Sequence, residues 1–473
     1  MRSNVRMNRI TIGITTLLLF SLSTIWTGPV RAQTQDRKQE IQELKDKLQQ
    51  LDQTMGEVKA RISALEENGQ PTGQPPTATA PATVTTTIVA RSPEEEEPVG
   101  EKTFEIYGHT MLDSGYNFKQ IDPNWFDVMR PTKLPAFKDE FGPDGSVFFS
   151  VRQTRFGVKT SNPTSLGDLK TWFEFELFGT GVDQGQTTFR LRQAYGELGK
   201  FGAGQTWSPF MDIDVFPNSL EYWGPNGMVF FRNIQFRWMP IKGDSRVIIA
   251  AERPGASADG GIYSDRIELQ NVRPQFTLPD LSIQGRLARH WGYVQGATIF
   301  RKISWADLNP TPTTNISRTV LGWGVNLSSN VKVGEKTTAR MQVVYGRGVE
   351  NYMNDAPADI AIRTSSNTTA PIKGVPLPAL GVVSFLDHNW NKKFSTAAGY
   401  SLVNIWNTNG QLPADFHQGH YALTNLLYYP VKNVMVGGEF QFGRRVNFSD
   451  GFNTNDYKVQ VSFKYNFSKM LTY

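Results

Sequence analysis

Residues 457–467 read YKVQVSFKYNF. Tyr457, Val459, Val461, Phe463, Tyr465 and Phe467 are apolar or aromatic, and the five positions between them are polar. A period of two is a strand signature, because successive strand side chains point to opposite faces. One face of this strand is apolar and the other wet. In a soluble sandwich the apolar face would be the core; in a membrane barrel it would meet lipid, with the polar face lining a lumen. Similar alternation recurs in FEIYGHTMLDSGY (104–116), WFEFELF (172–178), FRLRQAYGEL (189–198), NIQFRWM (233–239) and GEFQFGRR (438–445). From Thr103 to Phe467 the pattern predicts strands and no long helix.

The breaks between strands decide the face. Short turn signals fall at Asn162–Gly167, Gly199–Lys200, Ile241–Asp244, His290–Gly292, Gly334–Lys336, Asn391–Lys393 and Val431–Asn433. Longer breaks fall at Lys119–Gly145, Gly179–Thr187, Trp207–Met228, Pro254–Pro279, Ala306–Arg318, Val349–Leu380, Asn407–Gln418 and Asn447–Asp456. Short and long alternate without exception. Fifteen connections join sixteen strands, with every long loop at one end. A soluble sandwich has no reason for that, whereas an outer-membrane barrel has short periplasmic turns and long external loops. The expected fold is all-β: a 16-stranded antiparallel transmembrane β-barrel, wide enough for an aqueous channel, preceded by a short α-helical coiled coil.

The coiled coil comes from a second period. Ile41, Leu44, Leu48, Leu51, Met55, Val58, Ile62 and Leu65 alternate at spacings of three and four, flanked by charged residues. This narrow stripe is a coiled-coil seam, and an isolated helix so short is marginal in water, so self-association is expected. The expected organisation is a signal peptide over 1–32, a periplasmic coiled coil over 33–68, a Pro/Thr-rich and acidic linker over 69–102, and the barrel over 103–473. The signal peptide rests on Arg2, Arg6 and Arg9 before an apolar run, with Val30-Arg31-Ala32 as the cleavage region.

Composition adjusts this picture in three ways. Aromatic residues reach 12%, as aromatic girdles require. There is no cysteine, so no disulfide, thiolate metal site or cysteine nucleophile. Without the four arginines of residues 1–32, the remaining chain has 45 bases against 44 acids, so its charge does not call for nucleic acid. No G-x-S-x-G elbow or phosphate loop is present. His417 and His420, three apart in an expected loop, make only a weak metal pair. No enzyme, metal or cofactor is expected.

The stretches VRQTRFGVKT (151–160), LRQAYGEL (191–198), GQTWSPFMD (204–212) and GWGVNLSSNVKVG (322–334) are similar to those of the DcaP-like trimeric porins. With the coiled coil and linker, the resemblance spans almost the whole chain. It implies an outer-membrane homotrimer in contact with lipid, its coiled coil in the periplasm, and a channel preferring small anions, dicarboxylates among them. Such barrels end on an aromatic residue; here SKMLTY follows Phe467, as a continued strand or a short tail.

A wide pore selects through charged rings and its narrowest point. Alternation assigns Arg155, Lys159, Arg190, Arg192, Arg237, Arg286 and Arg445 to the lumen, where a guanidinium can bind a carboxylate through two parallel hydrogen bonds. Pairing with Glu174, Glu176, Glu252 and Glu439 is the competing role. Arg232, Arg289 and Arg301 are expected at strand ends. The loop Trp207–Met228, with Trp207, Asp212, Asp214, Glu221 and Tyr222, is the expected constriction, its acids facing the arginine wall. Three functions stay open: a passive channel for small anionic solutes, a structural barrel whose coiled coil engages the cell envelope, and an embedded hydrolase.

Overall fold

The computed structural model describes Lys45 and residues 101–260, 272–308, 310, 317–366 and 372–472. Apart from Lys45, the expected signal peptide, coiled coil and linker lie outside the described residues, except for the linker's last two positions. Alternating segments build one sheet of sixteen strands. They are β1 (Thr103–Asn117), β2 (Ser146–Ser150 and Arg155–Asn162), β3 (Leu169–Phe178), β4 (Thr187–Leu198), β5 (Phe201–Trp207) and β6 (Arg232–Ile241). Then come β7 (Arg246–Glu252), β8 (Val272–Pro274 and Asp280–Arg289), β9 (Gly292–Asp307), β10 (Arg318–Val333) and β11 (Thr337–Arg347). Last are β12 (Pro378–Asn389), β13 (Phe394–Ile405), β14 (Phe416–Tyr428), β15 (Val434–Asn447) and β16 (Asn453–Thr472).

The halves of β2 pair with one neighbour, β1, and those of β8 with β9, so each pair counts as one interrupted strand. Every strand pairs antiparallel with the next. β1 pairs with β16 from Thr103↔Thr472 to Asn117↔Lys458, which closes the cylinder and leaves no sheet edge. The last strand therefore runs on to Thr472. The short turns stand where expected. The β15–β16 loop is shorter than expected, because pairing runs to Val446↔Asn453. His417 and His420 lie in β14, not in a loop.

On β16, Tyr457, Val459, Val461, Phe463 and Tyr465 are exposed, while Lys458, Gln460 and Ser462 are buried. On β3, Phe173 is 48% exposed and Glu176 0%. The apolar face points outward and the polar face into the barrel.

One half of the barrel departs from this alternation. On β9 and on β11–β14 the inward face also carries apolar residues: Ile299, Val344, Val383, Phe385, Ala397, Val403 and Leu423 are buried. They pack against Phe210, Met211, Val215, Met228 and Val229 of the β5–β6 loop, and against Met129, Leu134 and Tyr352 of other long loops. The lumen is thus partly a side-chain core, where an aqueous interior was expected throughout. Residues 379–383, Ala-Leu-Gly-Val-Val, carry the sequence signal: an apolar run in which Ala379, Gly381 and Val383 are buried inward and Leu380 and Val382 lie half-buried on the outer face.

Candidate pore constriction

The polar half of the wall is built on β2, β3 and β4. The register puts Arg155 on one side of Glu176 and Arg190 on the other. A β-bulge in β4 shifts the pairing between Gln193↔Glu174 and Leu191↔Phe175, leaving Arg192 as the extra residue. Bulges re-aim side chains, and here both Arg192 and Gln193 are buried. Arg192 Nε donates to Glu174 Oε1 at 2.6 Å, and a terminal nitrogen donates to Glu176 Oε2 at 2.6 Å. Arg155 reaches Glu176 at 3.2 Å, Arg190 at 3.7 Å and Arg232 at 3.9 Å. The Tyr222 hydroxyl donates to the same carboxylate.

Opposite this wall runs the β5–β6 loop, which is folded into the barrel. Asp212 takes Arg286 at 2.5 Å, the Tyr293 hydroxyl at 2.8 Å and the Ser328 hydroxyl at 2.6 Å, on β8, β9 and β10. Asp214 takes Arg286 at 2.5 Å. Further along, the backbone nitrogens of Leu220 and Glu221 donate to Glu439 on β15 at 2.7 and 3.0 Å. The Leu220 carbonyl accepts from Gln153 at 2.9 Å and from Gln460 at 3.3 Å. Gly227 N donates to Ser401 Oγ at 2.9 Å. A Cβ at Gly227 would collide with the Leu402 carbonyl, so glycine lets the loop backbone lie flat against the wall. The loop touches strands from opposite sides of the cylinder.

Between loop and wall lies a cavity of about 450 Å³. Arg155, Arg190, Arg192 and Lys464 line one side, with Arg232 buried behind them. Phe216, Tyr222, Trp223, Phe230 and Phe231 line the other. Five cations, counting Arg232 behind the wall, stand against three carboxyl groups: Glu174 and Glu176 in the wall and Glu221 on the loop side of the cavity.

The expected lumen residues all sit on the inner face, but in different settings. Arg155, Arg190 and Arg192 meet at the cavity. Lys159 stacks over Tyr107 and Trp172, 4.6 and 5.1 Å from the ring centres. Arg237 donates to the Trp207 carbonyl at 2.6 Å, while the Trp207 ring packs edge-on against Trp172. Arg286 and Arg445 hold loops instead: Arg286 through Asp212 and Asp214, Arg445 through the carbonyls of Thr132 and Ala414 at 3.1 and 3.0 Å. The loop acids are anchors too. Glu221 is buried, accepts from Met129 N at 3.0 Å and from Gly224 N, and burial pushes its carboxyl up to about 7.

Sequence reasoning passed over Lys464 and placed Arg232 and Arg301 loosely. Lys464 was legible, since it shares the polar face of β16 with Lys458. Arg232 does open β6, but Arg301 lies inside β9, fully buried, and pairs with Asp280 and Asp359 at 2.9 Å each. Arg289 closes β8. Arg130 lies 4.1 and 4.0 Å from the ring centres of Trp125 and Trp223, which meet edge-on, and it binds Asp355 at 2.9 Å, which ties three long loops together. Among the described residues no group of three or more His, Cys, Asp or Glu could hold a metal ion.

The sequence model of one family, described as DcaP outer membrane protein, matches residues 98–467. Among solved structures, the outer membrane channel DcaP of Acinetobacter baumannii superposes with a TM-score of 0.64 at 18% identity, covering 77% of this chain and 97% of that one. That likeness is one of fold. The anion-selective porin from Comamonas acidovorans gives a TM-score of 0.48 at 11% identity, over 78% of this chain and 100% of that one. The trimer form of OmpT from Vibrio cholerae gives 0.46 at 11%, over 78% and 100%. No curated protein matches the chain.

Proposed function

The chain belongs to the DcaP outer membrane protein family, and on that premise we propose that it is a passive, anion-preferring channel for small hydrophilic solutes, dicarboxylates among them. The observation that carries this reading is the excess of cations at the cavity, five against the three carboxyl groups of Glu174, Glu176 and Glu221. Guanidinium groups facing water bind carboxylates through two parallel bonds. Glu176 holds four arginines in place without neutralising them all. A solute carboxylate would bind beside it, at Arg155, Arg190 and Lys464. Arg192 shapes the site through Glu174 and Glu176. Lys159 and Arg237 extend the basic path, and the loop carrying Asp212, Asp214, Glu221 and Tyr222 narrows it. The dicarboxylate preference is supported by the family resemblance.

The test is the reversal potential of the purified protein in a planar bilayer under a salt gradient. Anion preference is expected, with succinate-like dicarboxylates as blockers; cation preference would overturn the charge assignment. We further propose a homotrimer held in part by the coiled coil. Deleting residues 33–68 is then expected to loosen the trimer on a native gel, and an unaltered trimer would show that the barrels suffice. The structural-barrel reading has one observation on its side: long loops fill half the lumen. Absence of any conductance would favour it.

A further inference from the structure

The outward face of β13–β16 stops being apolar near the long-loop end. The register aligns Leu402, His420, Arg444 and Asn455 across four strands. The row beyond it holds Asn404, Gln418, Val446 and Asn453. All face away from the lumen, because Val403, Tyr421, Arg445 and Asp456 between them are buried inside. The next row toward the barrel middle holds Tyr400, Ala422, Phe442 and Tyr457, three of them aromatic. Phe442 and Tyr457 pack at 5.4 Å. Such rings mark the boundary between hydrocarbon and headgroups.

Arg444 stands at that boundary. Its cost on a lipid-facing surface grows with depth. It donates to Asn453 at 3.2 Å, and among the described residues no carboxylate pairs with it. The Arg444 Nε and the Asn455 Oδ1 are buried and without partners. Around it runs a chain of polar groups: His420 bonds Tyr400 at 2.5 Å and Gln418 at 3.0 Å, and Gln418 donates to Asn404 at 3.2 Å. A guanidinium with no carboxylate partner, set among amides and an imidazole, matches a phosphate carried on a sugar. The cation takes the phosphate, and the amides take hydroxyls.

We propose that Asn404, Gln418, His420, Arg444, Asn453 and Asn455 form a docking site for the phosphorylated sugar headgroup of the outer-leaflet glycolipid. The site is separate from the pore and goes beyond the channel reading. It fastens one side of the barrel to the external leaflet.

The probes are lipid A, its dephosphorylated form, and phosphatidylglycerol, each added to the purified full-length protein in detergent and followed by native mass spectrometry. Wild type is expected to retain lipid A, and to release the dephosphorylated form and phosphatidylglycerol. Arg444→Gln is expected to weaken lipid A binding roughly tenfold, the loss of one charged hydrogen-bonding partner. Conductance is expected to stay unchanged, because Arg444 points away from the lumen. Should Arg444→Gln not fold, Asn453→Leu is expected to weaken the same binding. Equal retention of lipid A by the variant would overturn the proposal, and so would equal retention of phosphatidylglycerol by wild type. The chain has no cysteine, so Asn453→Cys is a unique label. A disulfide between two copies through it would make this face a protomer contact and also overturn the proposal.

Discussion

The two halves of the barrel interior are built from the same strand geometry and do opposite things. On β2–β4 and β16, the inward positions are Arg155, Glu174, Glu176, Arg190, Arg192 and Lys464, and they leave space. On β9 and β11–β14, they are residues such as Ile299, Val383, Phe385 and Val403, and long loops occupy the space. The difference shows how a wide barrel acquires a narrow pore. Sixteen strands enclose more room than a small solute needs. Apolar burial on one side holds the loops in place, and the charged side, which cannot pack dry, keeps the passage open. Open charged space and packed loops thus fall to different strands.

If the β5–β6 loop narrows the path, removing its tip has the largest effect. Deleting Ile213–Tyr222 is expected to roughly double single-channel conductance or more, since conductance follows the narrowest section. An unchanged conductance would mean that the loop does not constrict.

Next is the dry half itself. Phe210 is fully buried in the loop–wall core. Phe210→Ala is expected to cost about 3–5 kcal/mol of loop docking, read as current flicker and faster proteolysis within the loop. A quiet channel with a resistant loop would show that the polar anchors at Asp212 and Glu439 suffice.

The wet half should answer to charge alone. Arg155→Gln and Arg190→Gln are each expected to lower the anion-to-cation permeability ratio by about two- to threefold, the effect of one charge about 7 Å away in water once salt screening is included. Glu176→Gln should move it the other way. Equal, small changes from all three would mean that the cavity is off the ion path.

The smallest effect is a pH dependence that crosses between the halves at Glu221. Its folded carboxyl is raised from 4.5 to about 7. The docked state therefore holds a proton that the undocked state releases. The stabilisation is complete below about 4.5 and is lost as pH rises through about 7. Channel noise is expected to increase from pH 5 to pH 8 in wild type and to stay flat in Glu221→Gln. Identical pH profiles would place the titration elsewhere.

Much of the wet half was legible. Glu174 and Glu176 alternate with Phe173 and Phe175, and the faces follow from period two. Lys464 could have been placed by the same rule. The bulge at Arg192 and Gln193 left only a faint mark, two consecutive polar residues at which the alternation changes phase. The dry half was legible only as apolar runs such as Ala379–Val383. Those runs say that both faces are apolar, but not what covers the inner one.

The strand count, the short and long ends, and which face points outward follow from the sequence alone, because these depend on residues two apart and on local turn chemistry. The sequence also set the stock of inward arginines. Only the tertiary structure decided which of them face water. Arg155 and Arg190 do; Arg286 and Arg445 look the same in the alternation but hold Asp212, Asp214 and the Thr132 carbonyl. The physical reason is range. A face is set within one strand, whereas a partner such as Asp212 comes 74 positions away from Arg286 and reaches it only when the loop crosses the closed cylinder.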